Sequence, residues 1–300
     1  MNKNKSILML TMLENQTRNL NYYENLIDRI KQTYYNKIDV VIVVATQCEF
    51  NFNYEFEKTN CAIYFGVNEK CLNSKFSQLP HDKIIFCANK GYDVGPFLIG
   101  CKHIENQYEY IIHIHAKTND TWNKLLTTIA NCNITELDVD TIIPNQDVPG
   151  LKTLTTTDTS DGNYNILDSH RHLFPFYDTS WEYSSGKMFA TKVQLLKPLL
   201  NNFDEIYSLL TDKNKNDVYW QTAMNNAKLF NKYYNEYLNN DINKPISKYA
   251  SFMRQKYKCR NYFELLNKGY RGIPDLQIEH AIERYLGYLI CRNKKLHFSE

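Results

Sequence analysis

The run KIIFCANKGYDVGPFLIGCKHIENQYEYIIHIHAK, residues 83–117, decides how this chain is read. Lys83–Ala88 is a short apolar, aromatic and β-branched run that predicts a strand. A turn bearing Asn89, Gly91, Gly95 and Pro96 follows, and Val94–Ile104 is long enough for a helix. A second strand is expected over 108–116. Residues two apart on a strand share a face, so His113, His115 and Lys117 project together while Ile112, Ile114 and Ala116 face the other way. That row is either a polar, solvated strand face or a set of cationic or metal-binding groups aimed at a ligand.

Upstream, residues 6–13, 38–46 and 61–67 read as further strands, each bounded by polar or turn residues. Between the first two, Leu20, Tyr23, Leu26, Ile27, Ile30 and Tyr34 recur at spacings of three and four, which marks an amphipathic helix over 19–34. Alternating strands and helices predict an α/β fold with a mostly parallel, Rossmann-type sheet flanked by helices. Ligands of such sheets gather beyond the carboxyl ends of the strands, and every expected end here is polar: 11–15, 46–49, 68–70, 89–93 and 115–120.

Downstream, Trp122, Leu125, Leu126 and Ile129 suggest another helix over 121–130. Residues 138–183 are rich in Thr, Asp, Asn, Pro and Gly, which favours turns, short hairpins and loops. A short strand is expected at 187–191, followed by the helical QLLKPLL. Beyond residue 201 the pattern is helical: 203–210, 217–238, 246–257, 261–268 and 275–291. The chain divides on this reading into an α/β core, 1–200, and a helical region packed on it, 201–300.

The 300 residues carry 35 basic and 33 acidic side chains, a formal net charge of +2. That balance, with bases and acids interleaved, gives no reason to expect nucleic acid as a partner. The longest apolar run, 40–45, is far short of the roughly 20 residues of a membrane helix, and the N-terminus has no small-residue cleavage site. A soluble, cytoplasmic protein is expected. The eight cysteines form no CxxC pair and read as buried free thiols in a reducing compartment.

The segment DLQIEHAIER, 275–284, puts Asp275 near a helix start and His280, Glu283 and Arg284 on one broad helix face. An acid, an imidazole and a guanidinium suit an anionic, hydroxyl-bearing substrate; the plainer alternative for Glu283 and Arg284 is an ordinary pairing that ties this helix to the sheet. His113 and His115, with His280, could ligate a metal, but no HExxH helix or Cys-rich cluster supports a dedicated site. No GxSxG elbow, GxGxxG turn or P-loop occurs.

Four blocks taken in order, NKGYDVGPF, YEYIIHIHAK with Trp122, SSGKMFATKVQLLKPLL and DLQIEHAIERYLGYL, resemble the rhamnan synthesis protein F family of glycosyltransferases. The order of elements is also similar to the wider GT-A glycosyltransferases, with His115, Ala116 and Lys117 where those enzymes carry D-x-D. The resemblance implies transfer of a sugar, rhamnose or another deoxyhexose, from a UDP, dTDP or GDP donor to a glycan acceptor, with inversion. Asp275 is then the expected base, with Asp217 as the runner-up. Thr11, Glu14 and Thr46 would meet the base and ribose, and Asn89, Gly91 and Asp93 the ribose or donor sugar. His115, Lys117, His280 and Arg284, with Glu283 beside them, would surround the diphosphate. Because His115 and Lys117 replace the metal-holding aspartates, no metal is required on this reading, although Mn or Mg held by His113 and His115 is the alternative. Two other functions stay open: a catalytically silent nucleotide-sugar or glycan-binding module of the same fold, and a metal-dependent hydrolase using the histidines.

Overall fold

The computed structural model describes residues 5–14, 20–46, 55–58, 62–67, 74–91, 93–116, 129–144, 151–155, 167–184, 188–210, 278–292 and 296–299. Its centre is a run of parallel strands. β1 (Ser6–Leu13) lies between β2 (Ile38–Thr46) and β6 (Tyr110–His115), and β5 (Lys83–Ala88) follows β2. β3 (Phe56–Lys58) and β4 (Ile63–Phe65) close one edge, β4 parallel to β5 and β3 antiparallel to β4. On the other side, β10 (Phe189–Lys192) runs antiparallel between β6 and β7 (Thr141–Pro144), and β11 (Leu296–Ser299) pairs parallel with β7. The nine-stranded order is β11-β7-β10-β6-β1-β2-β5-β4-β3. A separate antiparallel pair joins β8 (Leu151–Thr155) to β9 (Ser180–Ser184).

β1 and β2 are buried almost end to end, and their sequences are mostly apolar with no polar alternation. Helices cover both faces. α1 (Leu20–Thr33) buries Tyr23, Leu26, Ile27 and Ile30 against the face bearing Leu8, Leu10, Val40, Ile42, Val44 and Ile112. α2 (Val94–Ile104) covers the opposite face, with Ile7, Met9, Val41, Val43 and Ile111. Outside α2 pack α3 (Lys197–Asn201), α4 (Phe203–Leu209) and α5 (Ile278–Cys291), and α5 also carries β9.

The expected bounds of β1, β2, β5 and α2 coincide with the structure, while the expected strands at 61–67 and 108–116 shorten to β4 and β6. The turn-rich 138–183 segment holds the β8–β9 pair, but it also supplies β7 to the main sheet, which its composition hid. The helical reading of the last hundred residues missed β11, a strand too short to show a period. The expected helices over 217–238, 246–257 and 261–268 lie outside the described residues. Cys87 and Cys101 are buried free thiols, and burial pushes both well above the usual thiol range. Among the described residues no helix is long and apolar enough to cross a membrane.

Candidate functional site

The connection from β1 through α1 leads to β2 on one side, whereas β5 returns through α2 to β6 on the other side of β1. The strand order therefore reverses between β1 and β6, and the region beyond their carboxyl ends is where ligands of open α/β sheets bind. Backbone bonds carry the ladder past the strand ends: Glu14 N–H donates to Ala45 O at 2.9 Å, Asn89 N–H to Thr46 O at 3.0 Å and Ala116 N–H to Thr11 O at 2.9 Å. These bonds fix the strand ends relative to one another.

His113 and His115 sit opposite Met9 and Thr11 in the parallel register, on the face covered by α2. That face is not solvated, because His113 and His115 are 0% and 2% exposed. His113 lies between Phe97, at 4.5 Å between ring centroids, and Phe189, at 5.6 Å, and its Nε2 is 3.2 Å from Thr11 Oγ1. Its surroundings are those of a satisfied core histidine. The His115 Nδ1 lies 3.1 Å from Asp93 Oδ2, at charge-pair distance but off the line of a well-aligned hydrogen bond. The two side chains differ in access: His115 is 3% exposed and Asp93 29%.

The turn that delivers Asp93 depends on two glycines. Gly91 has φ +68°, and a Cβ on Gly95 would stand 1.9 Å from Lys90 O. Lys90, which the sequence reading passed over, is 5% exposed. Its ammonium donates to Ser208 O at 3.2 Å and lies 4.9 Å from the Tyr207 ring centroid, tying the turn to the last turn of α4. Nothing in its local sequence except the flanking Gly91 marks it for this role.

Asp93 is the N-cap of α2, yet its side chain makes no capping bond. The first helical donors are used or missing: Val94 and Gly95 N–H both donate to Gly91 O, at 3.0 and 3.3 Å, and Pro96 has no N–H to give. The start of α2 therefore offers a phosphate few backbone donors. Any diphosphate here depends on side chains.

Of the residues expected at the site, Thr11 pairs in register with His115, whose Nδ1 is 3.1 Å from Asp93 Oδ2, Thr11 Oγ1 is within bonding reach of His113, and Asn89 and Gly91 lie in the turn that leads to Asp93. Thr46 is buried and shares the parity of Ile42 and Val44, so its side chain belongs to the α1 face, opposite Thr11. Glu14 is half-buried at the end of β1. Glu283 and Arg284 pair with each other at 3.2 Å, and the guanidinium lies 4.7 Å from the Tyr183 ring centroid while Trp181 Nε1–H donates to Arg284 O at 2.9 Å. The last two contacts join α5 to β9. His280 is half-buried one turn before Arg284 and accepts its Nη1–H at the backbone carbonyl, 3.3 Å. Lys117, Asp217 and Asp275 lie outside the described residues.

Among the described residues, no group of three or more His, Cys, Asp or Glu side chains is placed to hold a metal ion. A cavity of about 450 Å³ lies at the amino end of β6, lined by Glu105, Tyr108, Glu109, Lys192 and Lys197 among others. It is at the opposite end of the sheet from those carboxyl ends, and its charges are of mixed sign.

No family model matches the chain, so the resemblance to the rhamnan synthesis protein F family rests on its motif blocks alone. No curated protein matches it either. Among solved structures the chain is similar to core-mannan synthase A from Aspergillus fumigatus in a Mn and GDP form, at 7% identity and a TM-score of 0.29. The likeness covers 67% of this chain and 64% of that chain, so the chain matches less than two thirds of the other's length. The α/β assignment stands on the order and pairing of this chain's own strands.

Proposed function

We propose that the chain is a GT-A-like glycosyltransferase that moves a sugar, rhamnose or another deoxyhexose, from a UDP, dTDP or GDP donor to a glycan acceptor with inversion. The observation that carries this reading is the meeting of the Asn89–Asp93 turn with His115 at the β1/β6 switch point, where the first two motif blocks of the resemblance converge. On this reading the donor lies across the carboxyl ends of β1, β5 and β6. Lys117 faces the diphosphate, and the 201–300 region works with the core as one catalytic unit.

Transfer forms a bond from the acceptor oxygen to the anomeric carbon and breaks the bond to the diphosphate, while a carboxylate takes the acceptor proton. Asp275 fills that role in the proposal, with Asp217 as its rival. Mn or Mg is not required on this account.

A panel of UDP, GDP and dTDP sugars tested for protection against thermal unfolding checks the donor class. A ligand at 100 times its Kd adds about 2.7 kcal/mol of stability. No protection by any of them would refute the proposal. Asp275→Asn and Asp217→Asn, made separately, identify the base through loss of transfer with donor binding retained. Donor binding without transfer by the wild type, across a panel of acceptor glycans, would favour the silent binding module.

A further inference from the structure

We propose that the cavity of about 450 Å³ at the amino end of β6 is a second carbohydrate site, which holds an uncharged stretch of the acceptor glycan away from the point of transfer. The site is argued from its own side chains; only the identity of the glycan as the acceptor rests on the glycosyltransferase reading above.

Two stretches of chain form the cavity: the α2–β6 connection, 105–109, and the stretch from the end of β10 into α3, 192–197. They are pinned together at the base, where Val193 N–H donates to Glu109 O at 2.9 Å. Beside them Lys102 Nζ donates to Glu105 Oε2 at 3.0 Å and to Leu200 O at 3.5 Å. A ligand therefore meets preformed walls and has little chain to order on binding. The volume falls within the roughly 300–1,000 Å³ of small-molecule sites.

Most of the charge on these walls is answered within the protein. Lys192 donates to Asp140 Oδ1 at 2.6 Å, Glu105 accepts from Lys102, and Tyr108 O–H donates to Asp39 Oδ2 at 2.6 Å. Glu109 accepts from the Tyr110 hydroxyl and stands 3.6 Å from the exposed Lys5. Lys197, Gln194 and Asn106 are exposed, and among the described residues their side chains take part in no hydrogen bond or ion pair. An anion drawn to Lys197 would meet the carboxylates of Glu105 and Glu109, and a cation drawn to those would meet Lys192 and Lys197. An uncharged ligand suffers neither repulsion. It must both donate and accept, because a carboxylate only accepts, an ammonium only donates, and an amide does both. The hydroxyls of a sugar do this, and half-buried Tyr108 gives apolar surface to the carbon skeleton between them. The six residues of β6 put about 20 Å between this cavity and the carboxyl ends of the sheet, so a polymer can reach both places and a single sugar cannot. Holding the polymer at two points raises its effective concentration at the transfer end without any new contact there.

The test uses the full chain as wild type, as the triple variant Asn106→Ala, Glu109→Ala, Lys197→Ala, and as Asn106→Trp, which fills the cavity instead of stripping it. All three positions are exposed, and circular dichroism checks that each variant folds. Isothermal titration calorimetry and saturation-transfer NMR follow tetrasaccharides of rhamnose, mannose and glucose, with glutamate as a zwitterion, inorganic phosphate as an anion, and UDP and GDP as reporters of the far end of the sheet. Wild type is expected to bind at least one tetrasaccharide with an affinity that added salt does not change. Both variants weaken it about 10-fold or more, the loss of two or three hydrogen bonds, and leave nucleotide affinity as it was. In a transfer assay they raise KM for a polymeric acceptor about 10- to 100-fold, while kcat and the KM of a monosaccharide acceptor stay unchanged. No tetrasaccharide binding by the wild type overturns the proposal, as does binding that survives both variants, or glutamate or phosphate bound at the cavity in place of sugar. Those results leave the donor reading standing. Tetrasaccharide binding lost in the variants with no change in polymer KM overturns the acceptor role. Tetrasaccharide binding at the cavity of a chain that no nucleotide sugar protects would overturn the transferase reading and keep the site.

Discussion

Substituting Gly95 by Ala sets two physical effects against each other with opposite signs. Gly95 is the second residue of α2, and helix propensity alone says that Ala there stabilises by about 1 kcal/mol. The tertiary structure says the reverse. A Cβ built on Gly95 stands 1.9 Å from Lys90 O, against a floor of 3.0 Å for real contacts, so the turn must open by about 1.1 Å. The obstacle is backbone and cannot rotate away. Opening the turn sacrifices the Val94 and Gly95 bonds to Gly91 O, each worth about 1 kcal/mol, and strains the neighbouring packing by a further 1–3 kcal/mol, roughly. After subtracting the propensity gain, the net cost is about 2–4 kcal/mol. Urea denaturation followed by circular dichroism should show a lower midpoint with an unchanged m value. Gly100→Ala is the internal control: its Cβ would meet the Met9 Cε and Sδ at 2.7 Å and Val43 Cγ2 at 3.0 Å, and the flexible thioether can swing aside, so its cost stays within about 1 kcal/mol. A Gly95→Ala protein as stable as the wild type would refute the clash and, with it, the locked turn that leads to Asp93.

Three further outcomes are expected. His113→Leu leaves the buried Thr11 hydroxyl without its partner and should cost about 1–3 kcal/mol, most of it recovered in the double variant with Thr11→Val; strict additivity in a double-mutant cycle would rule out the Thr11–His113 bond. Lys90→Met keeps the aliphatic stem but loses the Ser208 bond and the Tyr207 contact, for an expected loss of about 1–2 kcal/mol in denaturant titrations; no change would show that the turn is not tied to α4 through this ammonium. His103 is held neutral, with its pKa lowered from 6.5 to about 4 by burial first and then by the charges of Lys83 and Lys58. The unfolded chain binds more protons than the folded one between those values, so His103 makes stability fall as pH drops from 6.5 towards 4. Midpoints measured at pH 7, 5.5 and 4.5 should fall less steeply in His103→Gln than in the wild type, and parallel curves would refute the assignment.

Much of the core was legible because its signals are local. The apolar runs of β1, β2 and β5 and the three-four spacing of α1 are written in consecutive residues, and burial on both faces leaves those strands without polar alternation. Thr11, Asn89, Asp93 and His115 were legible as polar positions at strand ends. Their division of labour was not. Thr11 and Thr46 look equivalent in sequence, and only the parity of each strand against its covering helix separates them. Arg284 and Glu283 are neighbours on one helix face in the sequence, and only the structure sets the Arg284 guanidinium 4.7 Å from the Tyr183 ring centroid of β9.

What the sequence by itself determined is therefore the kind of fold and the presence of a turn at its centre: alternating strand and helix patterns, and a glycine- and proline-bearing turn between them, whose left-handed Gly91 only the structure shows. Tertiary structure alone decided which strands pair across long separations, placing β10, β7 and β11 beside β6, because hydrogen-bond partners chosen over long stretches of chain leave no local period. It also decided that the row His113, His115 faces inward. Whether a strand face meets water or a helix depends on what the rest of the chain lays over it, and here α2 covers both imidazoles, leaving Asp93 as the more exposed member of its pair with His115.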